Sequence, residues 1–290
     1  MKKYTDIDST FCFRRKIAAT SKSNVWLCLD KHTGEKYAVK EIFMNRIANP
    51  QHVWNERNVM HLLNGTGISP VLYGTSKNQE SLFLVMQLIE GAPLSAHIPH
   101  GGFPEQMAKE IFSRIVRIFE ILEPLNVVYR DLKLSNLIVE KRENSTAIFL
   151  CDFGTAKQLS QRRERMESIC GTPHAMAPEM YAKEYDYRVD FWSLGILLFE
   201  LLAGTAPFGY ETKPVNLEIP FEKFHFFSGN AKDLISRLLQ KDPEKRLCSF
   251  SEIWGHSWLM GWKDRNCRAL SIDESIGEKF IFGKTAWDDF

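Results

Sequence analysis

The sequence predicts an α+β, bilobal protein, with a small β-rich N-lobe leading into a larger, mostly helical C-lobe. Three observations predict this. The first 90 residues read mostly as strands, the chain after Gly91 carries apolar residues at helical spacing, and 290 residues suffice to bury a substantial core. No internal repeat or low-complexity tract interrupts the pattern.

In the front part, Val25-Trp-Leu-Cys-Leu and Lys36-Tyr-Ala-Val-Lys-Glu-Ile flank the turn Asp30-Lys-His-Thr-Gly34, which signals a hairpin. Ser81-Leu-Phe-Leu-Val-Met-Gln-Leu-Ile is a further strand run, and residues 51–63, free of Gly and Pro after position 50, have helical composition. Behind Gly91, Ala108, Ile111, Phe112, Ile115, Phe119 and Leu122 recur at helical spacing up to Pro124. Further helices are expected at 190–202, 231–240 and 251–258. The reading places one domain over residues 1–262, with the N-lobe at about 11–88, a hinge at about 89–93 and the C-lobe at about 94–262, and a polar tail over 263–290.

Composition narrows the partners. A net charge of +1, from 37 Lys+Arg against 36 Asp+Glu, gives no case for nucleic acid or an anionic membrane. Six scattered cysteines with no CxxC pair read as reduced thiols rather than a disulfide framework or zinc site. The opening MKKYTDIDST has no apolar run after its lysines, and Lys2 excludes the myristoylation pattern. The longest apolar stretch, 194–203, is short and interrupted by Glu200, as in a buried helix. A cytoplasmic location is the expectation.

Four separated motifs carry the chemistry: Tyr37-Ala-Val-Lys40, Tyr129-Arg-Asp-Leu-Lys-Leu-Ser-Asn136, Asp152-Phe-Gly154 and Ala177-Pro-Glu179. Each is weak alone. Together, in this order, they resemble the signature set of eukaryotic protein kinases. The resemblance spans roughly residues 11–262 and implies the kinase fold, ATP and Mg2+ as cofactors, and transfer of the γ-phosphoryl group to Ser/Thr hydroxyls of protein substrates.

The resemblance also implies roles. Lys40 would hold the α- and β-phosphates and pair with Glu56, 16 residues on in the expected helix. Asp131 would accept or orient the substrate proton, Lys133 would offset charge on the transferring group, and Asn136 and Asp152 would bind magnesium. Ile17, Val25, Ala38, Met86, Gln87, Ile89 and Ile138 would line the nucleotide pocket. Glu179 and Arg246 would form an ion pair beneath the activation segment, and Asp190 would brace the catalytic loop. Thr172, after Cys170-Gly, would mark Ser/Thr specificity.

Details are similar to the AGC group, especially its cyclic-nucleotide-dependent members: Tyr129-Arg-Asp in place of His-Arg-Asp, Cys170-Gly-Thr-Pro, and the terminus Trp287-Asp-Asp-Phe290. Trp287 and Phe290 would then dock an AGC-type tail near the Glu56 helix, and a regulatory subunit becomes a possible partner. Ser168 falls at the group's activation-loop phosphosite, with Arg130, Lys157 and His52 expected to contact the phosphate and Glu167 as the rival source of negative charge.

Three departures stand out. The glycine-rich loop reads Ala18-Ala-Thr20-Ser-Lys-Ser23-Asn-Val25, without its glycines, so weaker ATP binding or slower turnover is expected, and a pseudokinase scaffold is the alternative reading. Of the glutamates that receive substrate arginines in the resembled kinases, only Glu200 is kept; Pro93, Ser135 and His174 replace the others. The segment before Phe11 and the tail are both short for the group. A small-molecule kinase is opposed by the peptide-docking segment with Thr172 and Ala177-Pro-Glu179.

Overall fold

The computed structural model describes residues 1–47, 51–143, 145–210 and 218–262, with residues 51 and 52 described by their backbone alone. The front of the chain forms a six-stranded sheet from β1 (Lys2–Tyr4), β2 (Phe11–Ala19), β3 (Ser23–Asp30), β4 (Lys36–Phe43), β5 (Leu72–Lys77) and β6 (Ser81–Gln87), in the order β1-β5-β6-β4-β3-β2. A short helix α1 (Ile7–Thr10) leads into β2, and α2 (Gln51–Leu62) lies between β4 and β5 in sequence. All pairings are antiparallel except β1 with β5.

The β3–β4 hairpin closes where the turn residues require it. Asp30 Oδ1 accepts the N–H groups of His32 and Thr33 at 2.8 and 3.0 Å, and Gly34 takes φ +75°. Strand alternation then sorts the side chains into two cores. Val39, Phe83 and Val85 join Ile7 and Phe11 in an outer cluster, while Ala38, Ile42, Leu84 and Met86 face the main core with Val53 and Val59 of α2. Lys40, two residues from both Ala38 and Ile42, shares their face.

Beyond β6, residues 88–90 carry the chain to β7 (Gly91–Pro93), which pairs with β9 (Leu137–Arg142) and not with the front sheet. The helical lobe holds α3 (Glu105–Leu122), β8 (Val127–Val128), β9, β10 (Ser145–Leu150), β11 (Lys157–Gln158), α4 (Val189–Ala203), α5 (Gly229–Leu238) and α6 (Phe250–Gly255). The fold is α+β, a β-sheet lobe followed by a helical one.

Two helices show how pattern becomes position. α3 buries Ala108, Phe112, Ile115, Phe119 and Leu122 along one stripe, whereas every residue of α4 is buried, making α4 the central rod of the lobe. Gly204, at φ +73°, ends α4, and its N–H bonds the carbonyl of Glu200. The last helix is shorter than expected, stopping at Gly255 rather than running to 258. His256 turns extended, its Nδ1 accepts the Trp258 N–H at 3.2 Å and its Nε2 meets Asp233 at 2.9 Å, which swings Trp258 into the core. No helix among the described residues is long and apolar enough to cross a membrane.

Candidate active site

Lys40 sits mid-strand on β4, paired with Val25 on one side and Leu84 on the other. Its ammonium meets Glu56 Oε1 of α2 at 2.5 Å and Asp152 Oδ1 at 2.8 Å. Lys40 and Glu56 are both buried. Burial alone would discharge the lysine, but the carboxylates of Glu56 and Asp152 outweigh it and its pKa is raised. The same Lys40 charge pulls the Asp152 carboxyl below its ordinary range.

Asp152 lies two residues beyond the end of β10, at φ +60°, in the left-handed region. Gly154 lies so close that an added Cβ would stand 3.3 Å from Asp152 Oδ1 and 3.5 Å from Glu56 Oε2, so a larger residue would crowd the triad. The Asp152 side chain keeps 45% of its surface open. A carboxylate in this position, half open beside a lysine, is a suitable hard ligand for magnesium.

The catalytic loop runs from β8 to β9 and is held from beneath. Asp190, in the first turn of α4, accepts the Tyr129 N–H at 2.7 Å and the Arg130 N–H at 2.8 Å. Burial pushes its carboxyl up to about 6 even against those two bonds. Arg130 takes φ +68°, a conformation costing roughly 1–3 kcal/mol for a non-glycine residue, and Asp190 offsets that strain. From this anchored turn Asp131 projects into the cleft. Thr172 Oγ1 donates to Asp131 Oδ1 at 2.6 Å, Lys133 Nζ donates to Thr172 Oγ1 at 2.8 Å, and Lys133 stands 3.0 Å from Asp131 Oδ2.

Asn136 Nδ2 donates to the Asp131 carbonyl at 2.9 Å and to its Oδ2 at 3.2 Å. With both bonds on the amide nitrogen, its oxygen is left for a cation. Asn136 O also accepts Cys151 N–H at 2.8 Å, which fixes the asparagine one residue from Asp152 across the β9–β10 hairpin. Among the described residues no group of three or more His, Cys, Asp and Glu side chains could hold a metal alone. Magnesium bound through one carboxylate, one amide oxygen and substrate phosphates needs no such cage.

The nucleotide-pocket residues fall on both lobes. Ala38 and Met86 are directly paired on β4 and β6, Val25 lies on β3, and Ile138 on β9 pairs with Pro93 of β7. Ile89 is buried in the crossing segment, and Ile17 on β2 is 40% exposed. Gln87 binds Val71 twice: its side-chain oxygen accepts the Val71 N–H at 3.3 Å and its own N–H donates to the Val71 carbonyl at 2.9 Å, so both groups are engaged beside β5.

The loop between β2 and β3 is closed without glycine. No residue from 18 to 25 has positive φ, so none needs to be glycine on backbone grounds. Thr20 Oγ1 accepts the N–H groups of Lys22 and Ser23 at 3.2 and 3.0 Å and bonds the Ser23 hydroxyl at 3.0 Å. Arg46 Nη1 donates to Ser21 O at 3.1 Å, and Phe43 N to Lys22 O at 3.0 Å. Hydroxyls close this loop where glycines would have made it pliable.

In the activation segment, Arg130 Nε donates to Thr155 O at 2.7 Å and Nη1 to Ser168 Oγ at 2.8 Å, with the Tyr185 hydroxyl 3.1 Å from the same nitrogen. Lys157 departs from its expected place beside Ser168. It pairs with Glu164 at 2.8 Å, whose other oxygen accepts Ser160 N and Oγ at 2.8 and 2.7 Å. These bonds pull the Glu164 carboxyl down to about 2. The His52 side chain, Trp287, Phe290 and the 263–290 tail lie outside the described residues. Lower in the lobe, Arg246 grips Glu179 through both nitrogens at 2.5 and 2.9 Å. Glu200 is only 2% exposed, with His174 Nε2 at 3.6 Å.

Residues 12–259 match the protein kinase domain family. This chain belongs to the protein kinase family. Among its relatives, it is 32% identical to myosin light chain kinase A of Dictyostelium discoideum over 90% of this chain and 92% of that one. It is 33% identical to a cAMP-dependent protein kinase catalytic subunit-like protein of Caenorhabditis briggsae (87% and 68%), and 29% identical to calcium-dependent protein kinase 7 of Arabidopsis thaliana (93% and 52%). Relatives from several kinase groups thus stand at similar identity, and the AGC group is not singled out. The protein is a serine/threonine protein kinase, and ATP with magnesium are the cofactors general to that family.

Proposed function

We propose that this kinase binds Mg-ATP between its lobes and transfers the γ-phosphoryl group at Asp131. The observation that carries the reading is the contact of Thr172 and Lys133 with Asp131, in a chain where Lys40 is already paired with both Glu56 and Asp152. Lys40 orients the α- and β-phosphates, and Asp152 and Asn136 take the metal. Magnesium, when bound, neutralises charge on the phosphates. Asp131 Oδ accepts the proton of the incoming hydroxyl, and Lys133 offsets negative charge on the transferring group. Thr172 fixes the rotamer of Asp131 and spaces the peptide for a Ser/Thr hydroxyl. Ala38, Met86, Val25 and Ile138 enclose the base, and the ordered Lys40–Glu56 pair supports activity over a scaffold role.

The finer assignments belong to the same proposal: an AGC-like kinase of the cytoplasm, with Ser168 as the activation-loop phosphosite on Arg130 and Glu200 as the acceptor of a basic substrate side chain. A phosphate on Ser168 brings about −1.5 to −2 charges to an arginine already in hydrogen-bond contact. The test is transfer from labelled ATP by wild type, Asp152→Ala and Lys40→Met. Loss of turnover in both variants is expected, and normal rates in both would end the assignment.

A further inference from the structure

We propose that Lys22, at the tip of the loop between β2 and β3, holds the γ-phosphate of ATP through its side chain, in place of the backbone that a glycine-rich loop would bring there. This rests on the Mg-ATP reading above and adds one residue to it.

The order of groups along β4 sets the direction of the nucleotide. Ala38, paired with Met86, lies with the residues that enclose the base in that reading, and Lys40, two residues on, meets the α- and β-phosphates. β3 runs antiparallel beside it, with Leu27 opposite Ala38, Val25 opposite Lys40 and Ser23 opposite Ile42. The Phe43 N–H then donates to the Lys22 carbonyl at 3.0 Å. Lys22 therefore stands three residues beyond Lys40 in register, about 10 Å along the strands, on the side away from the base. A triphosphate laid from Ala38 past Lys40 runs toward Lys22, γ-phosphate last.

Charge points to the same residue. Lys40 is matched by Glu56 and Asp152 at 2.5 and 2.8 Å, and Lys133 stands 3.0 Å from Asp131. Both lysines of the site already face carboxylates, whereas a triphosphate carrying magnesium keeps a net negative charge. Lys22 is exposed and in no ion pair among the described residues. Lys16, the next cation back along β2, lies over the Trp26 ring at 4.9 Å. Trp26 alternates with Val25 and packs in the outer cluster, so Lys16 is directed away from the nucleotide pocket. Lys22 sits in the turn itself, where strand alternation commits its stem to neither face.

The turn is built to present that side chain. The N–H groups of Lys22 and Ser23 go to Thr20 Oγ1 at 3.2 and 3.0 Å, and the Thr20 N–H goes to the Ser23 carbonyl at 2.8 Å. Phosphate contact through these amides would exchange bonds already made, whereas contact through the Lys22 ammonium breaks none. Arg46 fixes the tip: its Nη1 donates to the Ser21 carbonyl at 3.1 Å while its guanidinium lies over the Phe43 ring at 4.5 Å. From this tethered turn a flexible four-carbon stem carries a compact charge with three donors to the phosphate oxygens.

The experiment is calorimetric titration of the full-length chain with Mg-ATP and with Mg-ADP, for wild type, Lys22→Ala, Lys22→Gln, Lys22→Arg and Lys40→Met, with a melting curve to show that each is folded. Lys22→Ala and Lys22→Gln are expected to weaken ATP about tenfold, the loss of one hydrogen bond to a charged group, while ADP changes by less than about twofold. Lys22→Arg should keep the preference for ATP over ADP, and Lys40→Met should weaken both nucleotides. Equal ATP affinity in wild type and the two neutral variants, or an equal loss of ATP and ADP, overturns this inference and leaves the kinase reading intact. Failure of wild type to bind Mg-ATP overturns both.

Discussion

The Thr20 hydroxyl accepts the backbone N–H of Ser23 at 3.0 Å and bonds the Ser23 side chain at the same distance. Two hydroxyls on the positions of lost glycines therefore hold each other. The loop amides of Lys22 and Ser23 are thus satisfied within the loop by Thr20.

These bonds stabilise the loop. Thr20→Gly with Ser23→Gly removes these bonds, each worth about 1 kcal/mol, and adds backbone freedom. The double variant should melt several degrees below wild type in a thermal scan, at roughly 2–4 °C per kcal/mol. An unchanged or higher melting temperature would show that the hydroxyl pair contributes nothing.

Glu164 should matter before any phosphate is added. Its clamp on Lys157 and Ser160 orders the start of the activation segment. Glu164→Gln in phosphatase-treated protein should cut turnover several-fold while lowering the melting temperature by no more than about 4 °C, because such partly exposed pairs contribute only ~0–1 kcal/mol. The carboxyl titrates in the folded chain near 2, below its ordinary 4.5, so the clamp's contribution is complete above pH 4.5 and fades as pH falls toward 2.

Glu200 gives the opposite pH signature. Its folded value of about 8 lies above its ordinary 4.5, so the unfolded chain loses this proton first as pH rises. Stability falls across that window, by on the order of a few kcal/mol at ~1.4 kcal/mol per unit. Glu200→Gln should therefore melt higher than wild type at pH 8 and close to it at pH 5. Parallel pH curves for the two proteins would refute the buried, unpaired acid.

Asp190 should be among the residues least open to change. Asp190→Ala strands two buried N–H groups, those of Tyr129 and Arg130, at about 1–3 kcal/mol each, and releases the left-handed turn at Arg130. A loss of stability of that order, with turnover falling more than a hundredfold, is expected from denaturant titration and assay of the folded fraction.

Much of this was legible in the sequence because the signals were local or periodic. The hairpin at Asp30–Gly34, the α3 stripe and the burial of α4 follow from turn chemistry and spacing, and the motif residues Lys40, Glu56, Asp131 and Asp152 converge although scattered along the chain. What escaped depends on contacts without a pattern. The strand at Lys2–Tyr4 is polar and short, and exists through its pairing with β5. The Lys157–Glu164 bond lies in an irregular segment, where no period says which charge meets which. The turned Gln87 and the early end of α6 are likewise settled by single hydrogen bonds, to Val71 and within His256–Trp258.

The most direct test of the central claim is transfer of labelled γ-phosphate from Mg-ATP to a serine and a threonine peptide by wild type and by Asp131→Asn. Asparagine preserves the shape that Thr172 and Lys133 grip but cannot take the substrate proton. Phosphoserine and phosphothreonine from wild type, with a loss of at least a hundredfold in the folded variant, are predicted at ~2.7 kcal/mol or more of lost transition-state stabilisation. Equal rates for the two proteins, or no transfer by wild type, would contradict the account.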